Sequence, residues 1–380
     1  MRFPEFSGEW KREILNDVCT FHNGRAYKQN EFLSDGKYRV LRVGNFFTND
    51  SWYYSDLELD DEKVAVNGDL LYAWSASFGP RFWTGEKVIY HYHIWKIDSF
   101  QQVSKEFLFY FLERDTEKIK NEVQGGTMVH ITKGDMEKRE ILYPSILEQS
   151  KIARLLSLLD ERIATQNKII EDLKKLKSAI SKHLFTRKDL LETTICLSEI
   201  ATLRNGYAFQ SSKYNALGKW KILTITNVSG ERHINDEDCN CIINLPDDIQ
   251  DHQVLKEGDI LISLTGNVGR VSLCKDGDYL LNQRVGLLQL AKNVNQEFLY
   301  QILSSQKFEK SMIACGQGAA QMNIGKGDVE SYVLPYSLND NNILWIAKLL
   351  HSYDECIINE QRRLTLLTMQ KQYLLSQMFI

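Results

Sequence analysis

The sequence predicts an α+β protein built from two tandem copies of an α/β domain, each copy followed by a long helix. Apolar residues recur at a seven-residue step over 148–188, and the same pattern recurs 194 residues later, over 339–380. The segments that precede these helices, 1–147 and 189–338, share short motifs in the same order. We therefore expect the two helices to form an antiparallel coiled coil with pseudo-twofold symmetry.

Each predicted helix carries the two apolar positions of a heptad repeat. In the first helix they are Ile152, Leu159, Gln166, Leu173 and Ile180, with Leu156, Ile163, Ile170, Lys177 and Leu184. In the second they are Ile346, Tyr353, Glu360, Leu367 and Leu374, with Leu350, Ile357, Leu364, Lys371 and Met378. The polar interruptions recur together, because Gln166 corresponds to Glu360 and Lys177 to Lys371. These shared positions are candidates for fixing the helix register or for contacting a partner.

The two preceding segments repeat four motifs. An Asn-Gly-x-Ala-aromatic motif predicts a left-handed turn, a β-branched run predicts a strand that closes in a turn, a Gly-Asp-apolar-Leu motif predicts a strand before a glycine loop, and an aromatic run predicts a short buried helix. The corresponding pairs are 23–27 and 205–209, 38–45 and 220–227, 68–79 and 258–269, and 107–112 and 298–303. Each copy is therefore expected to be a globule of many short strands.

Composition is that of an ordinary soluble protein, with 43% apolar and 25% charged residues in 380. No apolar run approaches the roughly 18 residues that span a bilayer, and the first residues lack the apolar stretch of a signal peptide. Seven cysteines without framework spacing suit reduced thiols. We expect a cytoplasmic protein. The net charge of −4 argues against a uniformly basic surface but allows a local basic face.

No catalytic, cofactor-binding or metal-binding motif is predicted. A Walker phosphate loop and the Asp-Pro-Pro-Tyr signature of amino-methyltransferases are missing from the sequence. Gly316 and Gly318 lack the third glycine of a dinucleotide fingerprint. The pairs His91 with His93 and Cys239 with Cys241 have no second pair at metal-ligand spacing, which favours ordinary strand histidines and reduced thiols.

Two similar but non-identical globules on one helical pair suit a target with two parts at a fixed separation. A seam of about 37 residues is roughly 55 Å long at 1.5 Å per residue. Two readers on such a support can reach successive grooves of a DNA duplex, about 34 Å apart. Double-stranded DNA with a bipartite target is therefore the expected ligand, and the two half-sites need not be alike.

Over essentially its whole length the chain resembles type I restriction-modification specificity subunits. The resemblance is carried by the turns at 23–27 and 205–209, the strands at 68–71 and 258–261, and the helix starts. The first start matches at Pro144, Glu148, Gln149, Lys151, Ile152, Ala153, Leu155, Leu156, Leu159, Asp160 and Ile163. The second matches at Ile346, Ala347, Leu349, Leu350, Asp354 and Ile357, with Asn339 and Asp340 in place of the usual Glu-Gln.

The resemblance implies that 1–147 and 189–338 are target recognition domains, each reading one half of a split DNA sequence. The helices at 148–188 and 339–380 would set the unread spacer and dock methyltransferase subunits, in two copies. Those partners bind S-adenosylmethionine and methylate adenine, and a restriction subunit translocates and cleaves DNA with ATP and magnesium. The specificity subunit itself is implied to be non-catalytic and to hold no cofactor.

Candidate DNA-binding residues are the donors and acceptors on or beside the predicted turns and glycine loops, since such groups read base edges or bind phosphates. In the first domain they are Arg25, Lys28, Arg42, Ser75, Arg81, Thr127 and His130. In the second they are Tyr207, Gln210, Lys213, Thr265, Asn267, Arg270, Gln317, Gln321 and Asn323. Trp52, Trp74, Trp83, Trp95 and Trp220 are expected in the core, with Trp74 the exception.

Three other interpretations remain open at this point. The chain can be a coiled-coil scaffold whose globules bind proteins, a two-domain RNA binder, or the specificity subunit of a related methylation-based defence system with one bifunctional partner. The scaffold predicts no DNA affinity. The RNA binder predicts aromatic stacking platforms on exposed strands, which the tryptophan and tyrosine positions do not indicate.

Overall fold

The computed structural model describes residues 2–47, 49–75, 78–122, 131–316 and 322–379. The chain forms two compact units. Unit 1 consists of Met1–Gln166 with Arg363–Ile380, and unit 2 consists of Asn167–Arg362. None of the described helices combines the length and the apolar character that a membrane crossing requires.

The first half of the chain contains ten strands and five α-helices among the described residues. The strands are β1 Lys11–Ile14, β2 Thr20–Asn23, β3 Tyr38–Leu41, β4 Tyr53–Ser55, β5 Val64–Ala65, β6 Leu70–Ala73, β7 Gly79–Phe82, β8 Val88–Tyr90, β9 Ile94–Asp98 and β10 Glu140–Tyr143. The helices are α1 Leu15–Val18, α2 Val43–Phe47, α3 Lys105–Glu122, α4 Lys133–Glu137 and α5 Ile146–Leu184.

The second half repeats this inventory. The strands are β11 Thr193–Cys196, β12 Ala201–Asn205, β13 Trp220–Leu223, β14 Asn240–Ile242, β15 Val254–Leu255, β16 Ile260–Ser263, β17 Val271–Leu273, β18 Tyr279–Leu281, β19 Val285–Leu290 and β20 Val333–Tyr336. The helices are α6 Leu197–Ile200, α7 Gln296–Leu303, α8 Gln306–Gly316, α9 Lys326–Glu330 and α10 Asp340–Met378.

The two units have the same sheet topology. Unit 1 has four-stranded sheets in the orders β2-β9-β6-β7 and β4-β3-β8-β5, and unit 2 has β12-β19-β16-β17 and β14-β13-β18-β15. One strand pair in each unit is parallel, β3 with β8 in unit 1 and β13 with β18 in unit 2. A two-stranded ribbon, β1 with β10 or β11 with β20, precedes each long helix. The predicted fold class, two copies of a mixed α/β domain each followed by a long helix, is confirmed.

In each unit the larger core lies between one sheet and helices. In unit 1 the sheet residues Tyr72 and Trp95 pack with Phe107 of α3 and with α5 and α10 residues such as Leu156 and Met378. The other face of this sheet packs in a second core against the neighbouring sheet. Unit 2 has the equivalent pair of cores. Because one face of this sheet packs on helices and the other on the neighbouring sheet, the side chains of β6 and β16 are buried on both faces.

The long helices are both 39 residues long, and their first residues are offset by the predicted 194. The heptad positions are buried or half-buried throughout both helices. In unit 1 the start of α5 shares its core with the end of α10, through Ile152 and Leu374. In unit 2 the end of α5 shares its core with the start of α10, through Leu184 and Ile346. Each unit thus pairs opposite ends of the two helices, as an antiparallel coil requires.

Three local predictions need correction. The run at 38–45 is a strand only as far as Leu41, and α2 follows it in place of a turn. The helix predicted at 107–112 extends to Glu122 because its apolar face continues against the sheet. The counterparts of Glu148 and Gln149 at the 194-residue offset are Asn342 and Ile343, not Asn339 and Asp340.

Buried polar contacts explain the Glu-Gln pair at the start of α5. Gln149 is fully buried, donates from Nε2 to the carbonyl oxygens of Gln102 and Pro144, and accepts at Oε1 from the Ser104 N–H. Glu148 is paired in bidentate fashion with Arg2. In α10 the equivalent of Gln149 is Ile343, which packs in the core. The pair therefore has a structural role in unit 1 that unit 2 fulfils with apolar contact.

A carboxylate in unit 2 predicts a pH dependence of stability. Asp236 accepts hydrogen bonds from Lys221 at 2.7 Å, Lys275 at 2.8 Å and the Tyr279 hydroxyl at 3.0 Å. The Lys221 and Lys275 ammonium groups hold the pKa of Asp236 well below its usual range. A carboxyl whose pKa is lowered by folding stabilises the folded state above its unfolded pKa and loses that contribution as pH falls through the folded pKa.

We expect Asp236→Asn to lower the free energy of unfolding by about 2 kcal/mol at pH 7, the typical contribution of hydrogen bonds to a charged group. The difference from the unmodified chain should shrink as pH is lowered from 5 towards 2, and thermal unfolding midpoints across that range would measure it. Asp278→Asn is the control, since Asp278 is half exposed and 3.7 Å from Lys219. A deficit that stayed constant with pH would contradict the expectation.

Candidate nucleic-acid interface

In unit 1 the ends of four strands meet at one place. β2 and β6 are both antiparallel to β9, so their last residues flank the tripeptide 91–93 that enters β9 from β8. The Tyr92 N–H donates to the Arg25 carbonyl oxygen at 3.0 Å, and the Trp74 N–H to that of His93 at 3.1 Å. We call this the unit 1 strand-end site, which consists of residues 24–25, 42, 74–75 and 91–93.

Gly24 is required here for close approach and not for a left-handed turn. Its φ is not among the positive values, which corrects the turn predicted from the Asn-Gly pair. A Cβ at Gly24 would instead overlap the carbonyl groups of Tyr90 and His91. In unit 2 a Cβ at Gly206 would likewise overlap the carbonyl groups of Leu281 and Asn282. The glycine therefore allows the first strand to touch the tripeptide in both units.

The unit 1 site is rich in arginine and aromatic side chains. The Arg42 guanidinium lies 5.1 Å from the ring centre of Tyr53 and 5.6 Å from that of Phe32. Arg25 lies 5.0 Å from the Tyr27 ring centre and donates to Glu31 at 2.6 Å. The Nη1 atom of Arg25 is buried and has no hydrogen-bond partner among the described residues. Cations held against rings in this way are partly desolvated and geometrically fixed.

The tripeptide 91–93 adds two imidazoles and a phenol. Burial, together with the nearby His93 and Arg42, lowers the pKa of His91 to about 4, so this ring is neutral at physiological pH. Trp74 is half-buried, donates from Nε1 to the Tyr92 carbonyl oxygen at 2.8 Å and contacts the His93 ring at 5.0 Å. Trp74 thus lies at the site. Trp95 is fully buried in the core, as expected, but Trp52, Trp83 and Trp220 are only half-buried against smaller cores, which corrects their assignment to the core.

Unit 2 forms the equivalent site from different side chains. The Gln283 N–H donates to the Tyr207 carbonyl oxygen at 3.0 Å. This hydrogen bond corresponds to the one between Tyr92 and Arg25 in unit 1. The counterpart of the tripeptide is 282–284, and Thr265 pairs with Asn323 as an isolated β-bridge. We call this the unit 2 strand-end site, which consists of residues 206–207, 224, 264–265, 282–284 and 323.

Amides and one guanidinium dominate the unit 2 site. Asn282 is 9% exposed, and its Oδ1 accepts from the Arg284 N–H at 3.2 Å, while the side chains of Gln283 and Arg284 are exposed. The Tyr207 hydroxyl donates to Asp248 at 2.7 Å, which raises the pKa of that phenol. Amide and guanidinium groups on an ordered backbone can make the paired hydrogen bonds that distinguish adenine and guanine.

The strand-end sites bring together six of the sixteen residues predicted from sequence. These are Arg25, Arg42, Ser75, Tyr207, Thr265 and Asn323, of which Ser75 is buried. The side chains of Lys28, Gln210 and Lys213 are exposed. They lie in or beside the short 3-10 helices Gln29–Glu31 and Ser211–Lys213, which follow β2 and β12. Thr127, His130, Gln317 and Gln321 lie outside the described residues.

Arg81 and Arg270 do not occupy equivalent positions. Arg81 lies in β7 opposite Leu71, with its guanidinium 4.9 Å from the ring centre of Phe47. Arg270 precedes β17, packs on Gly230 and pairs with Glu309 at 3.6 Å. Asn267 is exposed, and its carbonyl oxygen accepts from the Ser263 hydroxyl at 2.5 Å. Arg81 therefore lies in a strand, whereas Asn267 and Arg270 lie in the glycine loop before β17, and none of the three belongs to a strand-end site.

Sequence reasoning missed the tripeptides. His91 and His93 were expected to be ordinary strand histidines, but they belong to the connection between β8 and β9. Tyr92, Gln283 and Arg284 were not singled out because no motif marks them. The available signal was positional, since both tripeptides lie just before an apolar strand at corresponding places in the two copies. No group of three or more potential metal ligands occurs among the described residues.

Comparison with known proteins identifies the family. Residues 7–175 and 192–369 match the type I restriction modification DNA specificity domain. The chain is 27% identical over 341 residues to the type I restriction enzyme MjaVIII specificity subunit of Methanocaldococcus jannaschii, covering 82% of this chain and 78% of that protein. It is 20% identical over 372 residues to the EcoBI specificity subunit of Escherichia coli, covering 86% and 75%.

Solved structures share the fold. The crystal structure of a type I restriction-modification S subunit from M. genitalium superposes with a TM-score of 0.59 at 18% identity, covering 100% of this chain and 99% of that chain. A chain from a structure of type I R-M complex assembly and conformational transition gives 0.58 at 15% identity, with 98% of both chains covered. Because the family match spans both copies, this chain belongs to the type I restriction-modification DNA specificity subunits, as its resemblance predicted.

Proposed function

We propose that each strand-end site reads one half of a bipartite DNA target, as part of a type I restriction-modification complex. The observation that carries this proposal is the repeated backbone with unlike side chains. The same strand ends present Arg25 and a His-Tyr-His tripeptide in unit 1, and Tyr207 and an Asn-Gln-Arg tripeptide in unit 2. Two sites that recognise different base sequences need a shared backbone arrangement that holds different hydrogen-bond donors and acceptors.

The same proposal assigns the long helices to the spacer and to methyltransferase docking. The start of α5 exposes Ile146 and Leu147 by 50% and 74%, and the start of α10 exposes Leu344 and Trp345 by 42% and 49%. Adjacent exposed apolar side chains at a helix start favour contact with a protein partner. Two methyltransferase subunits, one for each helix start, would use this surface, and the restriction subunits would join the assembled complex. The specificity subunit then acts without a catalytic site of its own.

Co-expression with the neighbouring methyltransferase, followed by genome-wide mapping of methylated adenines, tests the proposal. We expect a single motif made of two specified parts separated by a gap of unspecified bases. Methylation of a continuous motif would contradict the proposal that each strand-end site recognises a separate half of the target. No affinity for duplex DNA at a stated salt concentration, alone or with the partner, would favour a protein-binding scaffold instead.

Arg284→Ala should relax one base position in one half of the motif. A bidentate contact to a base discriminates by about 1–3 kcal/mol, so the preference at that position should fall by roughly 5-fold to 150-fold. The methylated motif of the variant complex measures this directly. Arg362→Ala is the control, because Arg362 is exposed on α10 outside the strand-end site. An unchanged motif with Arg284→Ala, or equal weakening of all sequences, would show that Arg284 does not read a base.

A further inference from the structure

Two clusters of paired charges occupy corresponding places in the two units. In unit 1, Lys371 of α10 lies 2.6 Å from Asp160 of α5 and 2.8 Å from Glu113 of α3. In unit 2, Lys177 of α5 lies 2.5 Å from Asp354 of α10. The 194-residue offset relates Asp160 to Asp354 and Lys177 to Lys371. We call them the Lys371 cluster and the Lys177 cluster.

Each cluster also connects the helix pair to its own globule. The Tyr110 hydroxyl of α3 donates to Asp160 at 2.8 Å, and the Gln301 amide of α7 donates to Asp354 at 2.6 Å. Tyr110 and Gln301 occupy the same place in the two globules, three residues after Phe107 and Phe298. One aspartate in each unit therefore binds both the partner helix and the globule.

The surrounding charges differ between the clusters. In unit 2, Arg232 bridges Asp354 at 3.0 Å and Glu297 at 2.7 Å, so two cations face two carboxylates. In the described part of unit 1 one ammonium, that of Lys371, faces the two carboxylates of Asp160 and Glu113, and burial raises the pKa of Glu113. Removing Lys371 would thus leave two carboxylates together without a cation from the cluster.

Burial makes these contacts decisive for register. The side chains of Lys371, Lys177 and Asp354 are 12%, 16% and 9% exposed, and those of Glu113 and Asp160, which face Lys371, are 31% and 38% exposed. An apolar seam offers nearly the same contacts after a slip of one heptad, whereas a buried charge separated from its partner is strongly unfavourable. The clusters therefore select one register and one rotational setting out of several that the seam allows.

We propose that the Lys371 and Lys177 clusters are positioning elements that set the orientation of each globule on the helix pair, and thereby restrict the length of the unread gap in the DNA target. This inference rests on the proposed function, in which the globules read the two parts of the target. The residues act through the placement of the strand-end sites and make no contact with DNA themselves.

The test compares gap selection with base selection in the complex with the methyltransferase. Methylation is measured on duplexes that carry the native motif and on duplexes whose gap is longer or shorter by one base pair. For Lys371→Met we expect the preference for the native gap to fall by about tenfold, while discrimination against single-base changes in both halves is retained. Lys371→Arg keeps a cation and should retain the gap preference.

Two further variants separate positioning from folding. The triple variant Lys371→Met, Asp160→Leu, Glu113→Leu replaces the cluster by apolar groups, which often restores stability, and it should still lack gap preference. Lys175→Met removes an exposed lysine whose ion pair among the described residues is with Glu171, also on α5, and should change nothing.

Unchanged gap preference in both cluster variants would overturn the proposal. Parallel loss of gap and base discrimination would overturn it as well, because the cluster would then only support folding. Failure of the proposed function is distinguishable, since it would appear in the unmodified complex as the lack of a two-part motif.

Discussion

Alanine at Gly206 is expected to abolish selection of the half-site that we propose unit 2 reads, while selection of the other half-site persists. The new Cβ would overlap the carbonyl groups of Leu281 and Asn282, which belong to strands and turns that cannot move independently. The bridge between Tyr207 and Asn282 would open, and the tripeptide 282–284 would lose its support. Overpacking of this kind costs about 1–3 kcal/mol, so the chain should still fold.

Methylated-motif mapping and duplex binding would measure this effect. In unit 1, Gly24→Ala should give the reciprocal result, because its Cβ would overlap Tyr90 and His91. Gly327→Ala is the matched control, since a Cβ at Gly327 in α9 meets no atom within 4 Å among the described residues. If Gly206→Ala retained both half-sites, the contact between the first strand and the tripeptide would not be needed for recognition.

Asp354→Ala should destabilise unit 2 more than any substitution of a surface charge. It removes the carboxylate shared by Lys177, Arg232 and Gln301, and it leaves Lys177 and Arg232, 16% and 10% exposed, without this partner. Breaking a buried ion pair from one side costs about 3–5 kcal/mol. A loss of that size corresponds to a thermal midpoint lower by about 10 °C for a unit of this length.

Differential scanning calorimetry of the purified chain would measure the change. Glu171→Ala is the control, because its pair with Lys175 is exposed and solvent screens such pairs. A midpoint for Asp354→Ala within a degree or two of that control would show that solvent screens the Lys177 cluster, and it would remove the energetic basis for a register-fixing role.

Periodicity and internal repetition carried the predictions that were confirmed. The seam positions follow from the 3.5-residue spacing of apolar groups, which depends only on neighbours along one helix. The duplicated order of motifs predicted the repeated sheets because two copies with the same sequence pattern bury the same faces. Lys177 and Lys371 stood out as polar interruptions of the seam, and the structure pairs them with Asp354 and Asp160.

The role of single residues was less accessible. The glycine of each Asn-Gly pair was predicted to supply a left-handed turn, but it makes room for the carbonyl groups of residues 67 and 76 positions later in the chain, as Gly24 does for His91 and Gly206 does for Asn282. A close approach between distant segments leaves no periodic trace in the sequence. For the same reason the turn motifs mark Lys28 and Gln210, whereas no motif marks Gln283 and Arg284.

The sequence by itself determined that this protein has two copies of one α/β domain, that a long amphipathic helix follows each copy, and that the family is the type I specificity subunits. These properties depend on local spacing and on repetition. Only the tertiary structure decided which loop residues share a site and which polar residues pair across the helices. Such choices depend on strand order and on the pairing of segments far apart in the chain, where hydrogen bonds and buried charges, not the hydrophobic pattern, select the arrangement.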